Sequence, residues 1–165
     1  MEISFHVRKL KEPYVDFKWM VSQHDWFVIQ ESILIGSFEL QIDSVRCMAE
    51  DVRLLEVADS FVYLLGSLLF GRRKVQVVNI GSINLSATIT GESFSICITD
   101  LSNGGRHDVC LKVAEVSEVI GGFLDRLVGH CKKYLPEIAD NGRLGVLAGY
   151  SGAYMLGLLF EPEVM

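Results

Sequence analysis

The stretch that decides the fold is INLSATITGESFSICI, residues 83–98. Apolar and small polar side chains alternate along it in two runs, which are separated by Gly91 and Glu92. Strict alternation is typical of a strand with one buried face, because successive side chains of a strand point to opposite sides. Glycine accepts the positive φ that a tight hairpin turn requires. The stretch therefore predicts an antiparallel β-hairpin.

The same alternation continues on both sides of this hairpin. Residues 108–113 alternate again, and the Asn-Gly-Gly sequence at 103–105 supplies a second turn signal before them. We therefore expect an antiparallel meander over residues 74–113. Two further alternating runs, at residues 2–8 and 38–43, predict strands earlier in the chain.

Two segments have the 3.6-residue period of an amphipathic helix. The first covers residues 50–70, and Glu50 and Asp51 are interpreted as its acidic first turn, which the helix dipole favours. The second covers residues 114–135 and ends before Pro136, which cannot continue a helix. Both helices have an apolar stripe that needs to be buried against the predicted sheet.

The chain of 165 residues contains no linker, repeat or low-complexity run. It therefore predicts one α+β domain over residues 1–165, with an antiparallel sheet of about six to seven strands and two main amphipathic helices. The glycine-rich apolar element at 143–165 is expected to pack on the core. Its uncharged part, residues 144–160, falls short of the roughly 20 residues that span a bilayer, so a membrane anchor is not expected.

Composition excludes several classes of protein. Half of the residues are hydrophobic and 22% are charged, which is unlike an intrinsically disordered chain. The formal net charge of -6 disfavours nucleic acid and anionic membrane as partners, since both would repel the protein. The charge is uneven, because residues 12–59 contain ten acidic residues and only three basic ones. This segment is either a solvated face or a docking surface for a basic partner.

The N-terminal sequence has no secretory signal pattern, and the cysteines have no CxxC spacing. We therefore expect a cytoplasmic protein whose thiols are reduced. His107, Cys110 and the pair His130-Cys131 match no zinc signature, and there is no glycine-rich phosphate loop. No metal and no cofactor are predicted.

One pattern resembles a catalytic motif. Residues 149–153 read GYSGA, which is similar to the nucleophile elbow of serine hydrolases, with Ser151 as the nucleophile. In those enzymes the acid and the histidine follow the serine, whereas no His or Asp follows Ser151. The predicted sheet is also antiparallel rather than parallel. We therefore expect no enzyme and no catalytic residue, and a hydrolase is the weakest alternative.

The layout of the chain is similar to that of a known class. The run GSFELQI at residues 36–42 is followed by an acid-led helix with LLEVA at 54–58, and then by a meander closed by a C-terminal helix. This order resembles bacterial immunity proteins of contact-dependent growth-inhibition and other polymorphic toxin systems. The resemblance covers about residues 1–140 and rests on layout and composition. It implies a non-enzymatic protein that binds and neutralises a toxin domain, in many cases a basic nuclease, through an acidic surface.

The candidate partner-binding residues are six carboxylates of the acidic segment and one aromatic anchor, because aromatic residues dominate many interfaces. They are Asp25, Trp26, Glu31, Glu39, Asp43, Glu50 and Asp51. Glu39 and Asp43 are expected to share the polar face of one strand. A small-ligand-binding α+β domain with an apolar pocket remains open as an alternative function.

Overall fold

The structure is a computed structural model, and it describes residues 1–12, 16, 19, 26–69 and 75–149. Within these residues the chain forms seven strands and four α-helices. In chain order they are β1 (Glu2–Lys11), α1 (Trp26–Ser32), β2 (Ile33–Ile42), β3 (Val45–Arg53), α2 (Leu54–Leu69), β4 (Gln76–Ile80), β5 (Ile83–Thr90), β6 (Ser93–Asp100), β7 (Gly105–Lys112), α3 (Val113–Tyr134), a 3₁₀ helix (Pro136–Ile138) and α4 (Gly142–Gly149).

The strands form two antiparallel sheets, with the orders β1-β2-β3 and β4-β5-β6-β7. The α+β class, the number of strands and the C-terminal meander are confirmed. Gly81 and Gly91 begin the two-residue turns of the meander with φ of +55° and +59°. Those angles explain why glycine occupies both positions, since other residues pay a steric cost there.

The prediction that a helix begins at Glu50 is wrong. Residues 50–53 complete β3, and α2 begins at Leu54. The ladder between β2 and β3 passes from the pair Gly36–Val52 to the pair Phe38–Ala49, so β3 contains one extra residue there. This β-bulge breaks the period-two pattern, and the apolar residues that follow continue directly into the helix. Local periodicity therefore could not separate the strand end from the helix.

A second bulge lies on β1. Val7 pairs with Gly36 and Lys9 pairs with Ile35, so Arg8 is the extra residue of that strand. Gly36 thus has an irregular strand on each side. A Cβ atom at Gly36 would lie 2.0 Å from the carbonyl oxygen of His6, which no real side chain tolerates. Glycine is required here because the backbone of β1 approaches this position so closely.

The two amphipathic helices join the sheets into one core. Helix α2 contacts β2 and β3 of one sheet and β4 and β5 of the other, while α3 contacts β1, β6, β7 and α2. Phe38, Phe61 and Phe123 meet at the centre and are fully buried. Their ring centroids lie 5.7 to 6.0 Å apart, which is the favourable range for aromatic pairs.

The start of the glycine-rich C-terminal element forms α4. Leu144 and Leu147 of this helix are fully buried. Residues 150–165, which include Ser151 of the hydrolase-like sequence, lie outside the described residues. No helix in the described part of the chain is long and apolar enough to cross a membrane.

Candidate functional site

Two adjoining hollows lie where β3, α2 and β4 meet. The smaller has a volume of about 180 Å³ and is bounded by residues 50–53 and 79–81. The larger has a volume of about 500 Å³ and extends along α2 to Arg143. Glu56 and Ser60 of α2 line both hollows. Asn79 of β4 also lines both, and we call the two hollows together the α2 groove.

Three exposed carboxylates border the smaller hollow. The side chains of Glu50, Asp51 and Glu56 are 43%, 75% and 55% exposed. Arg8 forms ion pairs with both Glu50 and Asp51, and its Nη1 lies 3.1 Å from Asp51 Oδ1. Arg53 Nη1 lies 3.9 Å from Glu56 Oε2. The bulge in β3 explains why two consecutive residues, Glu50 and Asp51, both face solvent.

The larger hollow contains a better buried carboxylate, Asp59, which connects three helices. The indole N–H of Trp26 on α1 donates to Asp59 Oδ2 at 2.5 Å. The guanidinium of Arg143 on α4 donates to Asp59 Oδ1 at 3.2 Å. The Asp59 side chain is only 18% exposed. Trp26, the predicted aromatic anchor, therefore uses its polar atom to hold α1 against α2.

Glu39 and Asp43 lie away from the groove. Glu39 is on the outer face of β2 and accepts hydrogen bonds from Arg46 Nε and Nη2 at 2.5 and 3.0 Å. The hydrogen bond from Arg46 lowers the pKa of Glu39 below its usual range. Asp43 is in the β2–β3 turn with a φ of +51°, so the two carboxylates do not share a strand face as expected. The strand from Val45 to Asp51 makes six steps of extended chain, which places Asp43 on the order of 20 Å from Asp51.

The remaining predicted residues are Glu31 and Asp25. Glu31 lies near the end of β3. Its backbone carbonyl oxygen accepts a hydrogen bond from Arg53 Nε at 2.9 Å. Asp25 lies outside the described residues. The structure thus brings Glu31, Glu50 and Asp51 to one end of the three-stranded sheet.

Sequence reasoning missed Glu56 and Asp59 as groove residues. Their spacing of three residues on one helix was a usable signal, because such residues share a helix face. Sequence reasoning also missed Arg8 and Arg143, whose pairing with carboxylates has no signal in the local sequence. They reach their carboxylate partners across 43 and 84 residues of sequence.

The arginines change the electrostatic description of residues 12–59. Five carboxylates of this segment have an arginine partner: Glu39, Glu50, Asp51, Glu56 and Asp59. Glu31 and Asp43 have no cationic partner among the described residues. The surface is therefore a set of opposite charges with a carboxylate excess, rather than a uniformly acidic face. The pairs at Glu50, Asp51 and Glu56 are exposed, and exposed ion pairs contribute little to stability. Cations from another molecule can therefore exchange with Arg8 and Arg53.

Metal binding by the described residues and thiol reactivity at Cys47 and Cys131 are both disfavoured. No three His, Cys, Asp or Glu side chains among them lie close enough together to hold a metal ion. Burial raises the pKa of Cys131 to about 12, and burial also raises the pKa of Cys47. Thiols with raised pKa values are poor nucleophiles, because the thiolate is the reactive form.

Comparison of the chain with protein-family models, with curated proteins and with solved structures finds no match in any of the three. The geometry of the α2 groove is therefore the basis for a functional hypothesis.

Proposed function

We propose that the protein is a non-enzymatic immunity protein, which neutralises a basic toxin domain by binding it at the α2 groove. The observation that carries this proposal is the position of Glu50, Asp51 and Glu56. The three carboxylates are exposed and border one hollow, although they come from two different elements. A basic surface placed over this hollow would meet all three at once.

The arginine partners of these carboxylates are compatible with binding. Arg8 and Arg53 hold the carboxylates in defined positions before a partner arrives, and this lowers the ordering cost of association. Because the pairs are exposed, their replacement by lysines or arginines of a partner costs little. Complementary charge also accelerates encounter, and steered association reaches about 10⁸–10⁹ M⁻¹s⁻¹ at low salt. Rapid capture is what neutralisation of a toxin requires.

The shape of the groove supports a macromolecular partner. Small-molecule sites are mostly apolar cavities that enclose their ligand. The α2 groove is open, and charged or polar side chains such as Glu56, Ser60 and Asn79 line both of its hollows. These features favour a protein partner over the alternative of an apolar small-molecule pocket.

The test compares two double variants with the same change in charge. Glu50→Lys/Glu56→Lys reverses the groove, and Asp108→Lys/Glu118→Lys reverses two exposed carboxylates elsewhere. Asp51 is left unchanged because its φ of +52° would add a backbone effect to the charge effect. Each protein is co-expressed with the toxin domain encoded beside its gene, and growth and calorimetric affinity are measured.

We expect the unmodified protein and the Asp108→Lys/Glu118→Lys control to protect the cells and to bind the toxin domain. The groove variant should lose at least about 30-fold in affinity, since truncated or reversed hot spots cost about 2 kcal/mol or more. Equal binding by both double variants would overturn the location of the site. A gene neighbourhood without a toxin, or a neighbouring toxin that the unmodified protein neither binds nor neutralises, would overturn the function.

A further inference from the structure

The open edge of β4 is a second feature of the α2 groove. The sheet order is β4-β5-β6-β7, so β4 pairs with β5 alone. Ile80 and Ile83 are partners across a two-residue turn, and such a pair exchanges both backbone hydrogen bonds. Bonded and non-bonded pairs alternate from there along an antiparallel ladder. Val77 and Asn79 therefore direct their N–H and C=O groups away from β5.

The residues that carry these backbone groups line the groove. Val77 and Asn79 line the larger hollow opposite Asp59, Ser60 and Tyr63 of α2. Within the part of the chain that the structure describes, no backbone group pairs with this edge. The hollow of about 500 Å³ lies beside it, so α2 leaves space along the edge instead of closing it.

The edge of β4 also lacks the residues that usually protect an open strand. Natural proteins guard such edges with charged side chains, prolines or bulges, because unpaired edges recruit other strands. The sequence of β4 is QVVNI, and Val77 is 50% exposed. By contrast, β7 at the opposite edge of this sheet carries charged residues at 106, 108 and 112, and β1 carries them at 8, 9 and 11.

Gln76 precedes Val77 at this edge and has a buried acceptor without a partner. Its residue is only 5% exposed, and its Nε2 donates to the Val77 carbonyl at 3.3 Å. The side-chain amide thus lies beside the open edge. Its Oε1 is buried and has no hydrogen-bond donor. An unpaired buried acceptor is destabilising, and a donor brought by an incoming chain would remove that destabilisation.

We propose that β4 accepts an extended segment of the partner as an additional antiparallel strand, and that this segment carries basic side chains at every second position. The inference rests on the proposed function and specifies its partner. Side chains of an added strand alternate between two faces, so every second one would point towards α2. There they meet Glu56, while main-chain hydrogen bonds to Val77 and Asn79 supply affinity.

The test uses an eight-residue peptide of alternating lysine and threonine as the probe. Its affinity is measured for the full chain, for Val77→Pro and for Cys110→Pro. Proline removes an outward N–H at position 77 without breaking the pairing with β5, and edge strands tolerate it. The same alternation places Cys110 on the open edge of β7, so Cys110→Pro is the matched, equally uncharged control. A peptide N-methylated at alternate residues tests the backbone contacts without changing the protein.

We expect binding to fall at least about tenfold in Val77→Pro and with the N-methylated peptide, which corresponds to the loss of one hydrogen bond or more. Cys110→Pro should bind within about twofold of the unmodified protein. Hydrogen exchange of the Val77 and Asn79 amides should slow when the unmodified peptide is added.

Several outcomes would overturn strand addition. Val77 and Asn79 amides that exchange slowly without peptide would show that the chain itself covers the edge. Unchanged affinity in Val77→Pro, combined with loss in Glu50→Lys/Glu56→Lys, would reject the added strand and leave the proposed function intact. Absence of an effect in both variants would reject the added strand and the location of the site at the α2 groove. No peptide binding combined with no toxin binding would reject both proposals.

Discussion

Arg8 Nη1 lies 3.1 Å from Asp51 Oδ1, and these two residues belong to the bulges on opposite sides of β2. The ion pair therefore connects the two outer strands of the three-stranded sheet across its central strand. Asp51 has a φ of +52°, a region that most residues avoid and that aspartate tolerates better than most. Bulges of this kind redirect side chains, and here the result is that Glu50 and Asp51 both border the α2 groove.

Substitutions at Asp51 should separate the effect of its backbone from that of its charge. We expect Asp51→Ala to lower the free energy of unfolding by about 1–2 kcal/mol, because alanine is strained at positive φ. Asp51→Gly should cost less than about 1 kcal/mol, since it loses only an exposed ion pair. Urea unfolding measures both values. Equal values for alanine and glycine would show that φ has no energetic role at this position.

The two turn glycines offer a comparison of strain with packing. A Cβ atom at Gly91 meets nothing within 4 Å, whereas at Gly81 it would lie 3.0 Å from Val52 Cγ1 and 3.1 Å from Ala49 Cβ. We expect Gly91→Ala to cost about 1–2 kcal/mol through positive φ alone. Gly81→Ala should cost about 1–3 kcal/mol more, because it also overpacks the contact with β3. Thermal or urea unfolding of the two variants checks this order, which would be refuted by similar costs.

The meander was predictable because its pattern is strictly local. Ile83, Leu85 and Ala87 are buried as the alternation requires, and Gly91 lies in the turn between the two runs. The second amphipathic helix was predicted within about one residue at each end, since its charges and Pro136 mark its limits. In these segments each residue's local preference agrees with the environment that the fold gives it.

The groove was much less predictable. Alternation shows which side of a strand is buried but not which strands pair, so the division into two sheets has no local signal. The bulge at Asp51 broke the period where a strand end meets a helix start. Arg8 and Arg143 reach their partners through tertiary structure, and their effect on the acidic segment follows only from the folded chain. Glu50, Asp51 and Glu31 were chosen by charge alone, whereas the fold determined which of the candidates came together.

Trp26 and Asp59 should behave as a structural pair. Trp26→Phe removes the indole donor and should lower the free energy of unfolding by about 1 kcal/mol. Asp59→Ala removes the acceptor of both the partly buried indole N–H and Arg143, and it should lower the free energy of unfolding by about 1–3 kcal/mol. In a double-mutant cycle the two residues should be coupled by about 0.5 kcal/mol or more. If Trp26 were instead an anchor for a partner, Trp26→Phe would weaken toxin binding and leave the unfolding free energy unchanged.

The loop between β6 and β7 should make stability depend on acid pH. The Asp100 carboxylate accepts hydrogen bonds from the Ser102 hydroxyl at 2.6 Å, from the Ser102 backbone N–H at 2.9 Å and from Asn103 Nδ2 at 3.0 Å. These bonds, the Ser102 hydroxyl first, lower the pKa of Asp100 in the folded protein. The unfolded chain therefore takes up the proton first as the pH falls. The stabilisation is complete above a pH of about 4 and is lost as the pH falls through the lower folded value.

Asp100→Asn should remove this pH dependence, because asparagine does not titrate. At pH 7 it should cost about 1 kcal/mol through the loss of charge-assisted hydrogen bonds, and the difference from the unmodified protein should shrink towards pH 2. Urea unfolding at several pH values measures both effects. Asp108→Asn is the matched control, since its carboxylate is 70% exposed in the neighbouring strand and faces Arg106 at 3.6 Å. A constant difference between Asp100→Asn and the unmodified protein from pH 7 to pH 2 would contradict the role of the charged carboxylate, because protonation of Asp100 would then leave its contribution unchanged.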